Sequence, residues 1–252
     1  MFSAALVMAL LSANAQKRAF TIEDLYRVKG VSSVSLSPDG KTVCYTASSS
    51  DLKNQKSGSD IYIMNADGSH AKALTEDGKS SSAVWSKDGK SIFFTNYEKG
   101  TAQIFRMDLT TCETEQVTDY ELGIGSPVIS PDERYIAFTA EVYPDLGADA
   151  KANKARMEKK EQGPVQAHIA DKLLYRHWTS YNDGRCNHLI LFDTQTKTYK
   201  DLTPGNYSLI FVVGGGITYQ FSSDSKEICF VSNHDEHQEA STNADLWTVS
   251  VN

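Results

Sequence analysis

Val34-Ser35-Leu36-Ser37-Pro38-Asp39-Gly40-Lys41-Thr42-Val43-Cys44-Tyr45 decides the fold, because the chain repeats it. It returns as Ala83-Val84-Trp85-Ser86-Lys87-Asp88-Gly89-Lys90-Ser91-Ile92-Phe93-Phe94 and as Pro127-Val128-Ile129-Ser130-Pro131-Asp132-Glu133-Arg134-Tyr135-Ile136-Ala137-Phe138. The last copy is Tyr219-Gln220-Phe221-Ser222-Ser223-Asp224-Ser225-Lys226-Glu227-Ile228-Cys229-Phe230. The turn aspartates stand at 39, 88, 132 and 224, so the first two steps are 49 and 44 residues; the third, 92, is two periods or one period with an insertion. A unit that cannot bury its own apolar face stacks on copies of itself. A period of about 40–50 residues with several short strands is the mark of a β-propeller blade.

The rest of each unit agrees. Ser37-Pro38-Asp39-Gly40 suits a type I turn between apolar strands. A third strand and a short fourth follow: Asp60–Met64 and Ala71–Thr75, then Gln103–Met107 and Glu115–Thr118, then His188–Phe192 and Tyr199–Thr203. The last unit reaches Asp245–Val251 as its third strand and shows no fourth. The expected fold is all-β: a partial propeller of about four four-stranded blades, near 31–78, 79–122, 123–205 and 206–252, with a helical insertion in the third. An open ring leaves strand edges and sheet faces uncovered, so the chain reads as a piece of a longer one.

The 252 residues carry 25 Lys and Arg against 32 Asp and Glu, a net charge of −7, which argues against a nucleic-acid partner. Residues 2–13 are apolar and small, and Ala13-Asn14-Ala15 offers a cleavage signal before Gln16. Residues 1–15 therefore read as a secretory signal peptide lacking its basic start, with 16–252 exported to a periplasm or beyond. The leader is too short for a permanent span, and no other segment is apolar enough to cross a membrane. Cys44 and Cys229 share one repeat position on separate blades, too far apart to bridge, and read as buried free thiols; the state of Cys112 and Cys186 is open.

Between Glu141 and Asn187 the period breaks. Asp149–Gln162 holds strong helix formers and heavy charge without an apolar stripe, so it predicts a solvated helix ended by Gly163-Pro164. Asn182-Asp183-Gly184 predicts a hairpin turn. Departures from a propeller's period map to loops on the binding face, so candidate ligand contacts are sought here. Arg176, His177 and Trp178 place a forked donor, a titratable ring and a large aromatic together. Two readings stand: contact with a peptide or a partner domain, or Trp178 covering apolar surface while Arg176 pairs with a carboxylate. Glu141, at a strand end, and Tyr143 lie beside the same region, and a fixed carboxylate suits a free α-ammonium. Glu158 and Glu161 read as solvated.

No catalytic centre emerges. Gly78-Lys79-Ser80-Ser81-Ser82 lacks the second glycine of a G-x-S-x-G elbow. His234-Asp235-Glu236-His237 reads as a polar loop rather than a metal site, and Gly214-Gly215-Gly216 as an inter-blade crossing rather than a phosphate loop. No cofactor is called for.

Phe20-Thr21-Ile22-Glu23-Asp24-Leu25 followed by Ser37-Pro38-Asp39-Gly40 resembles the opening of the propeller domain in bacterial serine peptidases of the prolyl oligopeptidase family. The insertion ending in Tyr175-Arg176-His177-Trp178, with Asp183-Gly184-Arg185 and Asn187-His188-Leu189, is similar to the dipeptidyl-peptidase (type five) and acylaminoacyl-peptidase branch. Phe230-Val231-Ser232-Asn233-His234-Asp235 and Ser241–Trp247 extend the likeness. The Ser-Pro-Asp-Gly phrase is shared with TolB-like propellers.

The resemblance implies a two-domain exopeptidase acting on short peptides. The propeller would screen and orient them, and a carboxy-terminal α/β-hydrolase domain, absent here, would carry the Ser, Asp and His. No residue of this chain takes a triad role. The rival reading is a non-catalytic, TolB-like periplasmic propeller that binds another protein.

Overall fold

The computed structural model describes residues 18–165, 167–170, 173, 175–209 and 218–252. The signal peptide read at 1–15 and the Gly214–Gly216 run lie outside the described residues. A short helix α1 (Ile22–Arg27) precedes the first sheet, β1 (Gly30–Leu36), β2 (Thr42–Asp51), β3 (Lys56–Asn65) and β4 (Lys72–Ala73). The second sheet is β5 (Ser80–Trp85), β6 (Ser91–Asn96), β7 (Gln103–Asp108) and β8 (Thr114–Gln116). The third begins with β9 (Gly125–Ile129) and β10 (Tyr135–Val142). It is interrupted by α2 (Ala150–Glu161) and the hairpin β11 (Arg176–His177) and β12 (Ser180–Tyr181), then completed by β13 (Cys186–Asp193) and β14 (Thr198–Asp201). The fourth holds β15 (Tyr219–Phe221), β16 (Glu227–Ser232) and β17 (Asp245–Ser250). Every sheet is antiparallel with neighbours in chain order, the up-and-down wedge of a propeller.

The repeated Ser and Asp are explained by one local network. Ser37 Oγ donates to Asp39 Oδ1 at 2.7 Å and accepts from Thr42 N at 2.9 Å, while Asp39 Oδ1 also accepts from Lys41 N. Ser86–Asp88, Ser130–Asp132 and Ser222–Asp224 repeat these bonds. The fourth turn residue is left-handed each time: Gly40 and Gly89, but Glu133 (φ 61°) and Ser225 (φ 62°) in the third and fourth copies. A left-handed non-glycine is strained, and these two put the side chain to use. Glu133 accepts the backbone N–H of Lys87, and Ser225 Oγ accepts that of Asp132 at 3.1 Å, each in the preceding sheet's turn. Gly89 instead leaves room for the Pro38 ring, which has no N–H to satisfy. The turns are thereby linked in succession.

Apolar side chains fill the three seams. Cys44, Ile61, Ala83 and Ile92 close the first and second sheets. Phe93, Ile104, Phe138 and Ile190 close the second and third. Ala137, Leu189, Ile228 and Phe230 close the third and fourth. The two end faces lack such cover among the described residues: Val31, Leu36 and Leu246 are exposed. That difference corrects one expectation. Cys44 is buried with Sγ 3.6 Å from Ala83 O, but Cys229 is exposed, because the same strand position in the fourth sheet points away from the third. All four cysteines are free thiols, Cys186 buried and Cys112 exposed.

In the first three sheets a polar residue just before the third strand's apolar run holds the outgoing connection. Asp60 Oδ1 accepts from Gly78 N (3.0 Å), and Gln103 bonds both N and O of Tyr120. His188 spans Asp201 and the Gly205 carbonyl. The expected helix is present with Asp149 as its N-cap, Oδ1 accepting from Ala152 N. The hairpin turn is displaced from expectation. It falls at Trp178-Thr179, where Trp178 has φ 49°, while Asn182 Oδ1 accepts from Gly184 N in a side-chain turn after β12.

Candidate functional site

The third sheet's excursion builds the site. As β10 ends, the chain turns through Tyr143, whose backbone N–H donates to Asn153 Oδ1 at 2.7 Å. Asn153, fully buried on an otherwise solvated helix, also donates to the carbonyls of Gly147 (3.0 Å) and Asp149 (2.8 Å). Arg156 forks onto both oxygens of Asp145 at 2.7 Å. These bonds dock α2 on the strand end. Asn153→Ala is expected to cost about 2–3 kcal/mol, the penalty of orphaning the buried Tyr143 N–H and the Gly147 carbonyl, while the Asp149 carbonyl keeps the Asn153 backbone N–H. Urea unfolding should show the loss, with faster amide exchange in α2.

Arg185, just before β13, is the hub. Its Nε donates to both oxygens of Asp183 (3.0 and 2.9 Å), and a terminal nitrogen reaches Glu141 Oε2 at 3.1 Å. The antiparallel register setting Glu141 opposite Asn187 creates this meeting. One guanidinium thus faces two carboxylates. On one side lies a cavity of about 900 Å³, lined by Tyr143, Met157, Lys160, Cys186, Tyr207 and Asp235, among others. On the other lies a cleft of about 660 Å³, lined by Glu121, Glu141, Glu158 and Lys154, among others. Arg185, Met157 and Glu161 border both.

Two residues that line the larger cavity, Tyr207 and His234, belong to a ring stack. His234 lies between Tyr207 and Trp247, 4.1 Å from each ring centroid. It serves there as packing, and among the described residues no group of three His, Cys, Asp or Glu is placed to hold a metal. His188 sets the position of the Tyr207 segment. It is 0% exposed, with Nδ1 2.8 Å from Asp201 Oδ2 and Nε2 2.9 Å from the Gly205 carbonyl. A carbonyl only accepts, so Nε2 carries a proton, and the carboxylate holds a second on Nδ1. Burial opposes the charge most strongly, but the hydrogen bond and charge of Asp201, with the contacts to Cys186 and the Gly205 carbonyl, together outweigh it, and the pKa is pushed up to about 9.

The expected site residues separate. Glu141 faces the smaller cleft and Tyr143 the larger cavity, joined through Arg185. Arg176 and Trp178 stand on the β11–β12 hairpin and line neither space; Trp178 is 83% exposed and so is not cover for buried core. His177 lies in β11. Asn153, Arg185 and His188 have no role in the sequence reading. For His188 a signal exists: it precedes the apolar run of its third strand, as Asp60 and Gln103 do in the first two sheets.

The TolB beta propeller domain family matches residues 14–162. The chain belongs to that family. A dipeptidyl-peptidase 5 of Porphyromonas gingivalis is 30% identical over 228 residues, covering 88% of this chain and 32% of that protein. An uncharacterized peptidase of Bacillus subtilis is 25% identical over 236 residues, covering 92% and 34%. The acylaminoacyl peptidase of Pyrococcus horikoshii superposes with a TM-score of 0.62 at 17% identity, over 89% of this chain and 31% of that one, a likeness of fold. The chain spans about a third of the length of these relatives. Among the described residues no helix is long and apolar enough to cross a membrane.

Proposed function

We propose that this chain is the propeller portion of a secreted serine exopeptidase of the dipeptidyl- or acylaminoacyl-peptidase type. It would gate short peptides toward an α/β-hydrolase domain carried elsewhere in the parent protein. The observation that carries the reading is the 30% identity with a dipeptidyl-peptidase 5 across nearly the whole chain, third-sheet excursion included. In the parent enzyme, acyl transfer to the serine would follow the usual course of such triads.

The proposed anchor for a peptide's free amino terminus is the carboxylate pair Glu141 and Asp183. They share the single charge of Arg185, so a net negative charge remains for an α-ammonium. Arg176, His177 and Trp178, on their outward hairpin, would meet the partner domain or the body of the peptide. In the full-length parent enzyme, Glu141→Gln is expected to raise KM about tenfold for free-amine dipeptidyl substrates, the worth of one charge-assisted bond. Blocked substrates should be unaffected, and an equal rise for both kinds would remove Glu141 from the anchor.

A second reading is a non-catalytic interaction module, supported by the family itself, whose description is a TolB propeller domain. The coding frame beyond Asn252 separates the two. Further blades followed by a G-x-S-x-G elbow favour the peptidase, and a stop after one closing strand favours the module.

A further inference from the structure

Between α2 and the β11–β12 hairpin, Val165, Ile169, Leu173 and Tyr175 all line the larger cavity. All four are exposed, Ile169 at 90%. An exposed apolar side chain standing singly is ordinary, but several that line one cavity mark a surface that something covers. Local contacts hold this stretch in place. The His168 ring stacks on Tyr181 at 4.0 Å, and the Tyr175 carbonyl accepts from the Asn182 N–H at 2.8 Å. Tyr207, also exposed, adds an aromatic ring to the lining from the connection after β14.

The charged part of the lining is acidic. Glu161, Asp183, Asp235 and Glu236 stand against the cations Lys160 and Arg185. Arg185 is shared by Asp183 and Glu141, and Asp235 and Glu236 make no ion pair among the described residues. Exposed apolar side chains and surplus negative charge around one space fit an amphipathic cation. We propose that the larger cavity seats the first residue of a short peptide and selects an apolar one, its side chain lying against Ile169, Leu173 and Tyr175 and its α-ammonium toward Asp183. A leucine or phenylalanine there takes its own surface and that of the cavity out of water. An acidic first residue would meet carboxylates with no cation to answer it. The proposal deepens the exopeptidase reading and rests on it for the direction in which the amine lies. What it adds is the class of side chain beside that amine.

Calorimetric titration of the full chain with leucyl-glycinamide, glycyl-glycinamide, aspartyl-glycinamide and the N-acetyl forms of the first two decides it. Leucyl-glycinamide should bind about tenfold more tightly than glycyl-glycinamide, the worth of a partly covered isobutyl group. Aspartyl-glycinamide should bind more weakly than either. Ile169→Ser and Leu173→Ser should each weaken the leucyl peptide about threefold while leaving the glycyl affinity and Tm unchanged, a combination that a structural role for these side chains would not give. Acetylation tests the amine anchor separately. Acetylated peptides that bind as tightly, with the leucine preference intact, would keep the apolar seat and strike the anchor. Equal binding of leucyl and glycyl peptides, both weakened by acetylation, would strike the seat and keep the anchor. No binding of any peptide at millimolar concentration, or a leucine preference undiminished in both variants, would overturn the proposal, and the second result would give this apolar face to a partner domain instead.

Discussion

His188→Leu is expected to cost about 3–5 kcal/mol at pH 6.5, the loss seen when one partner of a buried charge pair is removed. The Asp201 carboxylate would be left facing leucine, with the Thr203 N–H at 3.0 Å as its remaining bond, and the Gly205 carbonyl would lose its donor. The pH dependence gives a sharper reading than the loss itself. The folded-state pKa of about 9 lies above the ordinary value of 6.5. The stabilisation is therefore fully present below about pH 6.5 and is lost as pH rises through 9, with a size of about 2–3 kcal/mol. Urea midpoints measured from pH 6 to 9.5 should fall for the natural chain and stay flatter for His188→Gln, which has no charge to lose. Parallel curves for the two would mean that His188 is neutral in the fold and that the clamp is not an ion pair. The same substitution should loosen the Tyr207–His234 stack, because the Gly205 carbonyl anchors the segment that presents Tyr207.

Phe138→Ala is expected to cost about 3–5 kcal/mol, the usual loss for a buried aromatic truncated in a packed core. Phe138 is fully buried in the seam between the second and third sheets, with ring contacts to Tyr120 at 5.1 Å and Tyr199 at 6.1 Å. A cavity there would separate two wedges rather than thin one sheet. The control is Val31→Ala, on the uncovered face of the first sheet, which should change stability by less than about 0.5 kcal/mol. Denaturant unfolding of both variants checks the pair. Comparable losses would show that the end face of the first sheet is packed in solution and that the seams are not where the stability resides.

What the chain discloses before folding is its local chemistry. Ser37 and Asp39 recur because one hydroxyl and one carboxylate oxygen satisfy a turn's own backbone, and that bond set lies within six residues. The bounds of α2 were readable for the same reason, since Asp149 caps it from three residues away. Features that depend on register were not readable. Nothing near Arg185 announces that Glu141, 44 positions earlier, will lie 3.1 Å from it; the pairing of β10 with β13 does that. Glu133 and Ser225 look like poor substitutes for glycine until their oxygens reach the preceding turn. Asn182-Asp183-Gly184 has the composition of a hairpin turn, yet the strands pair so that Trp178-Thr179 makes it. Cys229 matches Cys44 in the repeat but not in burial, because burial is decided by the neighbouring sheet, not by the unit.

The central claim is that this propeller serves a serine exopeptidase, and one measurement bears on it most directly. The parent protein, expressed from the extended frame, is treated with a serine-reactive phosphonate and assayed on dipeptidyl chromogenic substrates. The propeller-of-a-peptidase reading predicts a single adduct on a serine outside residues 1–252 and turnover that the adduct abolishes. A parent protein that takes no label and cleaves none of the substrates would contradict it.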